Sequence, residues 1–270
     1  MTPVSISVCI ISGEEERRIV RALESVAGWT SEVIVVLNED ARDGTEEICL
    51  RHGARVFREP WRGDGPQKAS AASKAGSDWL LCLDADEAVS PQLREEIIDA
   101  LEREARSPRH DAFGFPFLTR CFGRWIRHGD SYPQIHVRLW RRGRARWGGQ
   151  IVHSTLQVEG PVGRLRSDLL HYSVESMEQQ IGKISRYAHD FRTQREGRGV
   201  SRFDLFVRPA WRFFRSYVLR LGFLDGWQGW YLAWYAGFYT MARYAGVEEA
   251  QQCRGEYRGG DGGDGEEGHP

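Results

Sequence analysis

The chain has 270 residues, of which 41% are hydrophobic, so it can bury one substantial core with an appendage. Its 37 basic and 38 acidic residues nearly cancel, and this balance gives no electrostatic reason to expect nucleic acid as a partner. Five cysteines without a Cys-x-x-Cys pair favour reduced thiols in a cytosolic protein. The first residues lack a basic stretch leading into an apolar segment, so we expect no secretion signal.

Strand and helix patterns alternate through the first hundred residues. Short apolar runs predict buried strands, and Ile19, Leu23 and Val26 share one face of a predicted helix. Ser90 followed by Pro91 is a typical helix start. The alternation predicts an α/β fold with a mostly parallel sheet flanked by helices. The predicted strands are 5–11, 32–37, 54–57 and 79–83, and the predicted helices contain 19–26, begin near 45, cover 66–75 and follow 91.

Polar residues follow three of these predicted strands, in the segments 12–15, 38–43 and 84–87. Parallel sheets bind ligands at the carboxyl ends of their strands. We therefore expect the three segments to line one cleft.

The segment after the fourth predicted strand is the strongest functional signal. Asp84, Ala85, Asp86 and Glu87 follow directly on a buried apolar run. Because side chains alternate along a strand, the carboxylates of Asp84 and Asp86 are expected to point the same way. Paired carboxylates bind hard cations such as Mg²⁺ or Mn²⁺, which in turn bind phosphate groups. The pair predicts a metal–diphosphate site, with a helix-capping turn as the alternative.

The second half of the chain changes character. Shorter β-like runs at 113–118, 135–140 and 151–158 are followed by helical spacing after Tyr172. Two aromatic helices are predicted around 203–220 and 227–244.

These two helices have the composition of a membrane-surface anchor. Arg208, Arg212 and Arg215 share a helical face, and residues 226–242 contain no charged side chain. The uncharged stretch is shorter than the roughly 20 apolar residues that a spanning helix needs. An interfacial helix on an anionic membrane fits better than a span. Packing of the aromatic side chains against the sheet domain is the alternative.

Several motifs occur together, and in the order found in one known family. They resemble the motifs of family 2 glycosyltransferases, and more closely those of the bacterial lipopolysaccharide inner-core β-1,4-glucosyltransferase group, over about residues 5–247. The motifs are Ser7-Val8-Cys9-Ile10-Ile11-Ser12, Val35-Val36 followed by Asp43-Gly44-Thr45, Pro60-Trp61 with Gln67-Lys68, Leu83-Asp84-Ala85-Asp86-Glu87, Gly123-Arg124-Trp125-Ile126-Arg127-His128-Gly129, Arg138-Leu139-Trp140, Val152-His153, His171-Tyr172 and Gly222-Phe223-Leu224-Asp225-Gly226-Trp227.

This resemblance implies a GT-A fold, a nucleoside-diphosphate sugar as donor, a divalent metal (Mg²⁺ or Mn²⁺) and inversion at the anomeric carbon. The metal would neutralise the leaving diphosphate, and a base would take the proton of the acceptor hydroxyl. Transfer of glucose to lipopolysaccharide core is the expected reaction. The acceptor is then a lipid-linked saccharide, and the enzyme is expected to be cytoplasmic and peripheral at the inner membrane.

The resemblance also implies a division of the chain and roles for single residues. A GT-A catalytic domain is expected over 1–172 and a helical extension over 173–250. The Gly- and acid-rich composition at the end of the sequence predicts a disordered tail over 251–270. A solvated Lys68 and a core His153 are the alternatives for those two residues. The expected donor-binding residues are Ser12, Glu14, Glu15, Asn38, Asp40, Gln67, Lys68, Asp84 and Arg138, and the expected metal ligands are Asp84, Asp86 and His153.

The sequence departs from the family pattern where a catalytic base is expected. Gln134 and Ser154 stand where the family has carboxylates. Asp130 is therefore our candidate base, with Glu87 as the second candidate. The second strand is followed by Asn38 rather than by the usual aspartate, so contact with the ribose is expected from Asn38 or Asp40.

Two other functions compete with sugar transfer. A phosphohydrolase of the haloacid dehalogenase type also has Asp-x-Asp after a strand, but Ala88 stands where that class has Thr or Val. A catalytically idle relative that binds a nucleotide sugar or a lipid headgroup is the second alternative, because of Gln134 and Ser154. A nicotinamide oxidoreductase is excluded, since no G-x-G-x-x-G follows the first strand.

Overall fold

The computed structural model describes residues 5–149, 154–174 and 199–259, together with the helical positions 177, 180 and 191. The chain divides into two compact units. Met1–Arg120 and Tyr132–Ser173 form the first unit, and Cys121–Ser131 and Val174–Pro270 form the second. The predicted domain limits at 172 and 250 stay predictions.

The predicted elements of the first hundred residues are all present, with ends shifted by at most two residues. In chain order the elements are β1 (Ile6–Ser12), α1 (Ile19–Val26), β2 (Glu32–Asn38), α2 (Thr45–Arg51), β3 (Arg55–Glu59), α3 (Asp64–Ser73), β4 (Trp79–Asp84), β5 (Glu87–Val89), α4 (Pro91–Arg106), β6 (Ala112–Cys121), β7 (Arg124–Trp125), β8 (Gln134–Arg141), β9 (Ala145–Gly149), β10 (Ser154–Val158), β11 (Val162–Arg164), β12 (Leu169–Val174), α5 (Arg208–Phe214) and α6 (Gly226–Gly259).

The main sheet of the first unit has the strand order β3-β2-β1-β4-β8-β6-β12-β5. β1 to β4 pair in parallel, whereas β8 runs antiparallel to both β4 and β6. The strand order reverses between β1 and β4, which makes their carboxyl ends a topological switch point. Ser12 ends β1 and Asp84 ends β4, so the switch point carries two of the predicted site residues.

Both faces of this sheet are covered by helices. On one face Ile10 and Leu81 pack in a cluster with Leu23 of α1 and Leu93 of α4. On the other face the cluster includes Ala71 of α3. Because apolar residues are buried on both sides of each strand, the parallel strands read as continuous apolar runs, and the predicted α/β class is confirmed.

The two ends of α4 are fixed by side chains. Ser90 accepts a hydrogen bond from Leu93 N–H at 3.1 Å, which confirms the predicted cap. Near the other end, the buried Glu104 carboxylate accepts from the N–H groups of Arg109 at 2.6 Å and His110 at 3.0 Å. Burial would raise the pKa of Glu104, but these hydrogen bonds lower it below its ordinary value.

Replacing Glu104 with glutamine is expected to lower the free energy of unfolding at pH 7 by about 1–3 kcal/mol, because the N–H groups lose a charged acceptor. The contribution of a carboxylate with a lowered native pKa is present above its unfolded pKa and is lost as pH falls through the native one. The difference between wild type and variant should therefore shrink from pH 7 to pH 3 in urea denaturation. Glu95→Gln, exposed on the same helix, is the matched control. A pH-independent difference would contradict this account.

The second unit contains the two aromatic helices. α5 is continuous with π-helical turns at Phe203–Val207 and Arg215–Leu219, and a 3₁₀ turn at Gly222–Asp225 leads into α6. α6 continues through 251–259, where the composition predicts the start of a disordered tail. Glu, Gln and Arg favour helix, and each residue added to an existing helix gains a hydrogen bond. Residues 260–270 lie outside the described residues. Within the described part of the chain, every helix is too short or too polar to cross a bilayer.

Candidate active site

Hydrogen bonds join the segments that follow β1 and β2. Glu15 N–H donates to Thr45 Oγ1 at 2.8 Å, and Arg42 N–H donates to Glu14 Oε1 at 3.1 Å. Since β1 also pairs with β4, the structure brings the three predicted segments to one edge of the sheet. The three segments therefore lie close together, and the cleft that they are expected to line stays a prediction.

Asp84 is held between two cations. Lys68 Nζ lies 2.8 Å from Asp84 Oδ1, and an Arg138 Nη2 lies 2.9 Å from Asp84 Oδ2. Burial would raise the pKa of Asp84, but Arg138 and Lys68 hold it well below the usual range. The Lys68 side chain is buried, and its Nζ lies 5.4 Å from the centre of the Trp147 ring. The alternative of a solvated Lys68 is therefore wrong.

Glu87 contacts both Asp84 and Arg138. Its Oε2 accepts from Asp84 N–H at 2.8 Å, and its Oε1 lies 3.1 Å from Arg138 Nη2. The side chain is 1% exposed, and this burial raises the pKa of Glu87 to about 7. These contacts give Glu87 a positioning function for Asp84 and Arg138. Its role as a catalytic base stays a prediction.

Asp86 has different partners from Asp84. Its Oδ2 lies 3.6 Å from His171 Nε2 and 3.7 Å from Arg18 Nη1. Arg18 also forms an ion pair with Glu15. Burial would lower the pKa of His171, but the Asp86 carboxylate and its neighbours raise it above its ordinary value. The Asp86 contacts are longer than those of Asp84, so this carboxylate is the less tightly paired of the two.

The side chains around Asp86 fit a divalent cation whose remaining ligands come from the substrate. A carboxylate oxygen and an imidazole nitrogen are ligands that Mn²⁺ accepts, and Mg²⁺ is commonly bound through one or two carboxylates plus substrate phosphates. Among the described residues, no group of three or more His, Cys, Asp or Glu side chains could form a complete metal site. His153, the third predicted ligand, lies outside the described residues.

The predicted nucleotide-binding residues lie around the same edge. Gln67, next to Lys68 on α3, is 1% exposed, and its amide nitrogen and oxygen have no hydrogen-bond partner among the described residues. A buried amide without partners costs about 1–3 kcal/mol, so it is a candidate contact for a bound ligand or water. Asn38 Oδ1 accepts from Asp40 N–H at 3.3 Å, and Ser12 Oγ donates to Gly13 O at 3.1 Å.

Asp130 lies in the second unit. Its carboxylate is contacted by Arg215 at 2.7 Å, Arg212 at 3.2 Å and Arg220 at 3.4 Å. The side chain is 10% exposed, and its N–H donates to Ser216 Oγ at 3.2 Å. Its role as the catalytic base stays a prediction.

Three residues at this edge have no role that the sequence predicts. His171 belongs to a recognised motif, and its register opposite Glu87 in β5 places it near Asp86. Arg18 and Trp147 carry no motif signal. Their contacts depend on strands and helices far apart in the chain, which local patterns do not reveal.

The chain is similar to a known protein family and to several known proteins. The family model described as glycosyl transferase family 2 matches residues 7–154. An uncharacterized glycosyltransferase of Rickettsia prowazekii is 31% identical over 241 residues, which cover 83% of this chain and 80% of that protein. The lipopolysaccharide core biosynthesis glycosyltransferase LpsC of Rhizobium meliloti is 29% identical over 239 residues, covering 82% of each chain.

A similar fold is found in a solved structure. The crystal structure of S. aureus TarS 1–349 in complex with UDP-GlcNAc is similar with a TM-score of 0.50 at 14% identity, covering 93% of this chain and 92% of that chain. This likeness, together with the sheet order and the family match, confirms the GT-A architecture. The chain therefore belongs to glycosyl transferase family 2, and the protein is a glycosyltransferase.

Proposed function

We propose that this protein is an inverting, metal-dependent transferase. It moves a sugar, which the family resemblance predicts to be glucose, from a nucleoside diphosphate to a lipid-linked saccharide of the lipopolysaccharide core. The observation that carries the proposal is the Asp84–Asp86 pair at the switch point, surrounded by Lys68, Arg138 and Arg18. The similarity to LpsC, whose name states lipopolysaccharide core biosynthesis, supports this acceptor class.

The arrangement has the parts that donor activation needs. Lys68 and Arg138 fix the Asp84 carboxylate in one orientation, so that it is preorganised to accept hydrogen bonds from hydroxyl groups of the donor. Asp86 and His171 would hold the divalent cation, which when bound would neutralise charge on the leaving diphosphate. Arg18 adds a further positive charge beside Asp86. The acceptor proton would pass to a carboxylate, for which Asp130 and Glu87 are the candidates.

A donor screen tests this proposal. UDP-, GDP- and ADP-sugars are incubated with the protein and Mn²⁺, and release of the nucleoside diphosphate is measured beside the shift in melting temperature. We expect one donor to raise the melting temperature and to be turned over, and EDTA to abolish turnover. If nucleotide sugars bind but none is turned over, with or without a lipid-linked acceptor, the transferase proposal is wrong and the protein is a catalytically idle relative.

We also propose that the second unit rests on the membrane surface as a peripheral anchor. Its helices expose large apolar side chains, and residues 203–220, which contain α5 and its flanking turns, carry arginines that suit anionic headgroups. The exposed side chains include Phe206, Trp211, Phe214, Trp227, Trp230, Trp234 and Phe238.

Trp230→Ser is expected to weaken binding to vesicles of phosphatidylglycerol and phosphatidylcholine severalfold, because this exposed indole would insert at the interface. Co-sedimentation measures the bound fraction, which should also fall as salt is raised. Trp61→Ser removes a similarly exposed indole, 49% against 48%, from the first unit, and should leave binding unchanged. Wild-type protein that stays in the supernatant at low salt would contradict the anchor.

A further inference from the structure

A large cavity lies in the first unit, away from the candidate active site. Its volume is about 720 Å³, which is within the range of small-molecule sites. The end of α4, the residues that lead into β6, and β11 with the residues after it form its walls. β8 runs antiparallel to both β4 and β6, so the amino end of β6 lies at the edge of the sheet opposite to the carboxyl end of β4. The cavity is therefore separate from the Asp84–Asp86 pair.

Exposed arginine side chains dominate the lining of this cavity. They are Arg103, Arg106, Arg109, Arg164 and Arg166. Among the described residues, no carboxylate lies within ion-pair distance of the guanidinium groups of the last three. Like charges that share one cavity repel one another, and a bound anion would relieve this repulsion.

The two carboxylates of the lining are turned to the main chain. Glu104 accepts from the N–H groups of Arg109 and His110, and its Oε1 lies 2.8 Å from His110 Nδ1. Glu96 accepts from the N–H group of Arg166 at 2.9 Å. Five arginines against these two carboxylates leave an excess of three positive charges in the lining.

The floor of the cavity is apolar. Ala100, Phe113 and Leu165 line it and are at most 5% exposed. An apolar floor beneath a basic rim suits a ligand that combines a carbon skeleton with anionic groups. Guanidinium groups bind phosphate through paired N–H donors, and a phosphate monoester carries more charge at pH 7 than a carboxylate does. Phosphate groups therefore match the excess charge best.

We propose that this cavity binds a small molecule that carries two or more phosphate groups, with Arg109, Arg164 and Arg166 as its phosphate contacts. The phosphates are either free or borne by a sugar, and the same guanidinium chemistry recognises both. The proposed site is additional to the donor site and does not rest on the proposed sugar transfer.

The test is isothermal titration calorimetry of the full chain at low salt in EDTA, with tripolyphosphate and glucose 1,6-bisphosphate as probes. We expect one equivalent of tripolyphosphate to bind, and the affinity to fall as salt is raised. Binding of glucose 1,6-bisphosphate as well would assign the site to phosphorylated sugars, whereas its failure to bind would assign the site to free phosphates.

Arg109→Gln and Arg166→Gln remove guanidinium groups on the α4 side and on the β11 side of the cavity. Both variants keep the main-chain N–H groups that bind Glu104 and Glu96, so the walls should stay in place. Each should weaken tripolyphosphate binding by about tenfold, the usual cost of losing a hydrogen bond to a charged group. Circular dichroism and the melting temperature check that the variants stay folded.

Arg94→Gln is the matched control. Arg94 is exposed on the same helix but does not line the cavity, so this variant should bind as wild type does. Failure of both probes to bind would overturn the proposal, and so would an equal loss in the control. Phosphate held at the candidate active site would be insensitive to both cavity variants, which would also overturn it. The measurement uses neither donor nor turnover, so its failure is distinct from failure of the sugar-transfer proposal.

Discussion

Replacing Asp86 with alanine is expected to lower kcat/KM for sugar transfer by on the order of 10²–10³-fold, the usual cost of losing one electrostatic contact to the reacting group. Asp86 lies at the switch point. Among the described residues, the basic side chains paired with it are 3.6 and 3.7 Å away, against 2.8 and 2.9 Å for Asp84, so Asp86 is the more available of the two to a metal. The measurement is steady-state transfer at saturating Mn²⁺ with the donor identified by the screen.

The matched control is Asp78→Ala. Asp78 is exposed and precedes β4, so this variant removes the same charge from the amino end of the same strand. It should keep activity within about twofold, in line with surface substitutions generally. In addition, Mn²⁺ with donor should raise the melting temperature of wild type but not of Asp86→Ala. An Asp86→Ala protein with full activity and a normal response to Mn²⁺ would remove Asp86 from the metal site.

Replacing Arg138 with alanine is expected to reduce the free energy of unfolding by about 3–5 kcal/mol, because it leaves Asp84 and Glu87 without the cation that they share. The Arg138 side chain is 11% exposed and Glu87 is 1% exposed, so solvation by water cannot compensate for the loss of the positive charge. Urea denaturation at pH 7 measures the change.

An exposed ion pair provides the comparison for Arg138. Arg55 Nη1 lies 2.7 Å from Glu32 Oε2, but the arginine side chain is 54% exposed. Arg55→Ala should therefore cost only about 0–1 kcal/mol. Arg138→Lys should recover part of the stability, since it restores the positive charge but not the planar set of N–H donors of a guanidinium. Equal losses in Arg138→Ala and Arg55→Ala would show that the buried network is not a stabilising unit.

The sequence was most informative where structure depends on neighbouring residues. Apolar runs and helical spacing located the strands and helices of the first hundred residues, and their alternation predicted the parallel order of β1 to β4. The insertion of β8, antiparallel, between β4 and β6 was not predictable, because strand pairing between distant segments has no local pattern. The same limit applies to the site. Lys68 and Arg138 belong to motifs that predict their roles, whereas Arg18 belongs to none.

The contacts of Asp130 are a second example of what the sequence does not predict. The sequence predicts Asp130 as the base because two carboxylates of the family pattern are absent nearby. The arginines that contact it follow more than eighty residues later, and no spacing rule connects them to position 130. Its surroundings are therefore a product of the tertiary fold.

The way the chain alternates between the two units has a consequence for dissecting the protein. Residues 121–131 belong with the helices of the second unit, although they stand between two stretches of the first. His128 Nδ1 lies 3.1 Å from Asp225 Oδ1, and Asp130 pairs with Arg215, so this segment is held by residues from the far end of the sequence. Truncation after residue 173 would remove those partners while keeping the segment. We therefore expect a protein truncated at this point to be less stable than the full chain, because the segment 121–131 would lose its partners in the second unit.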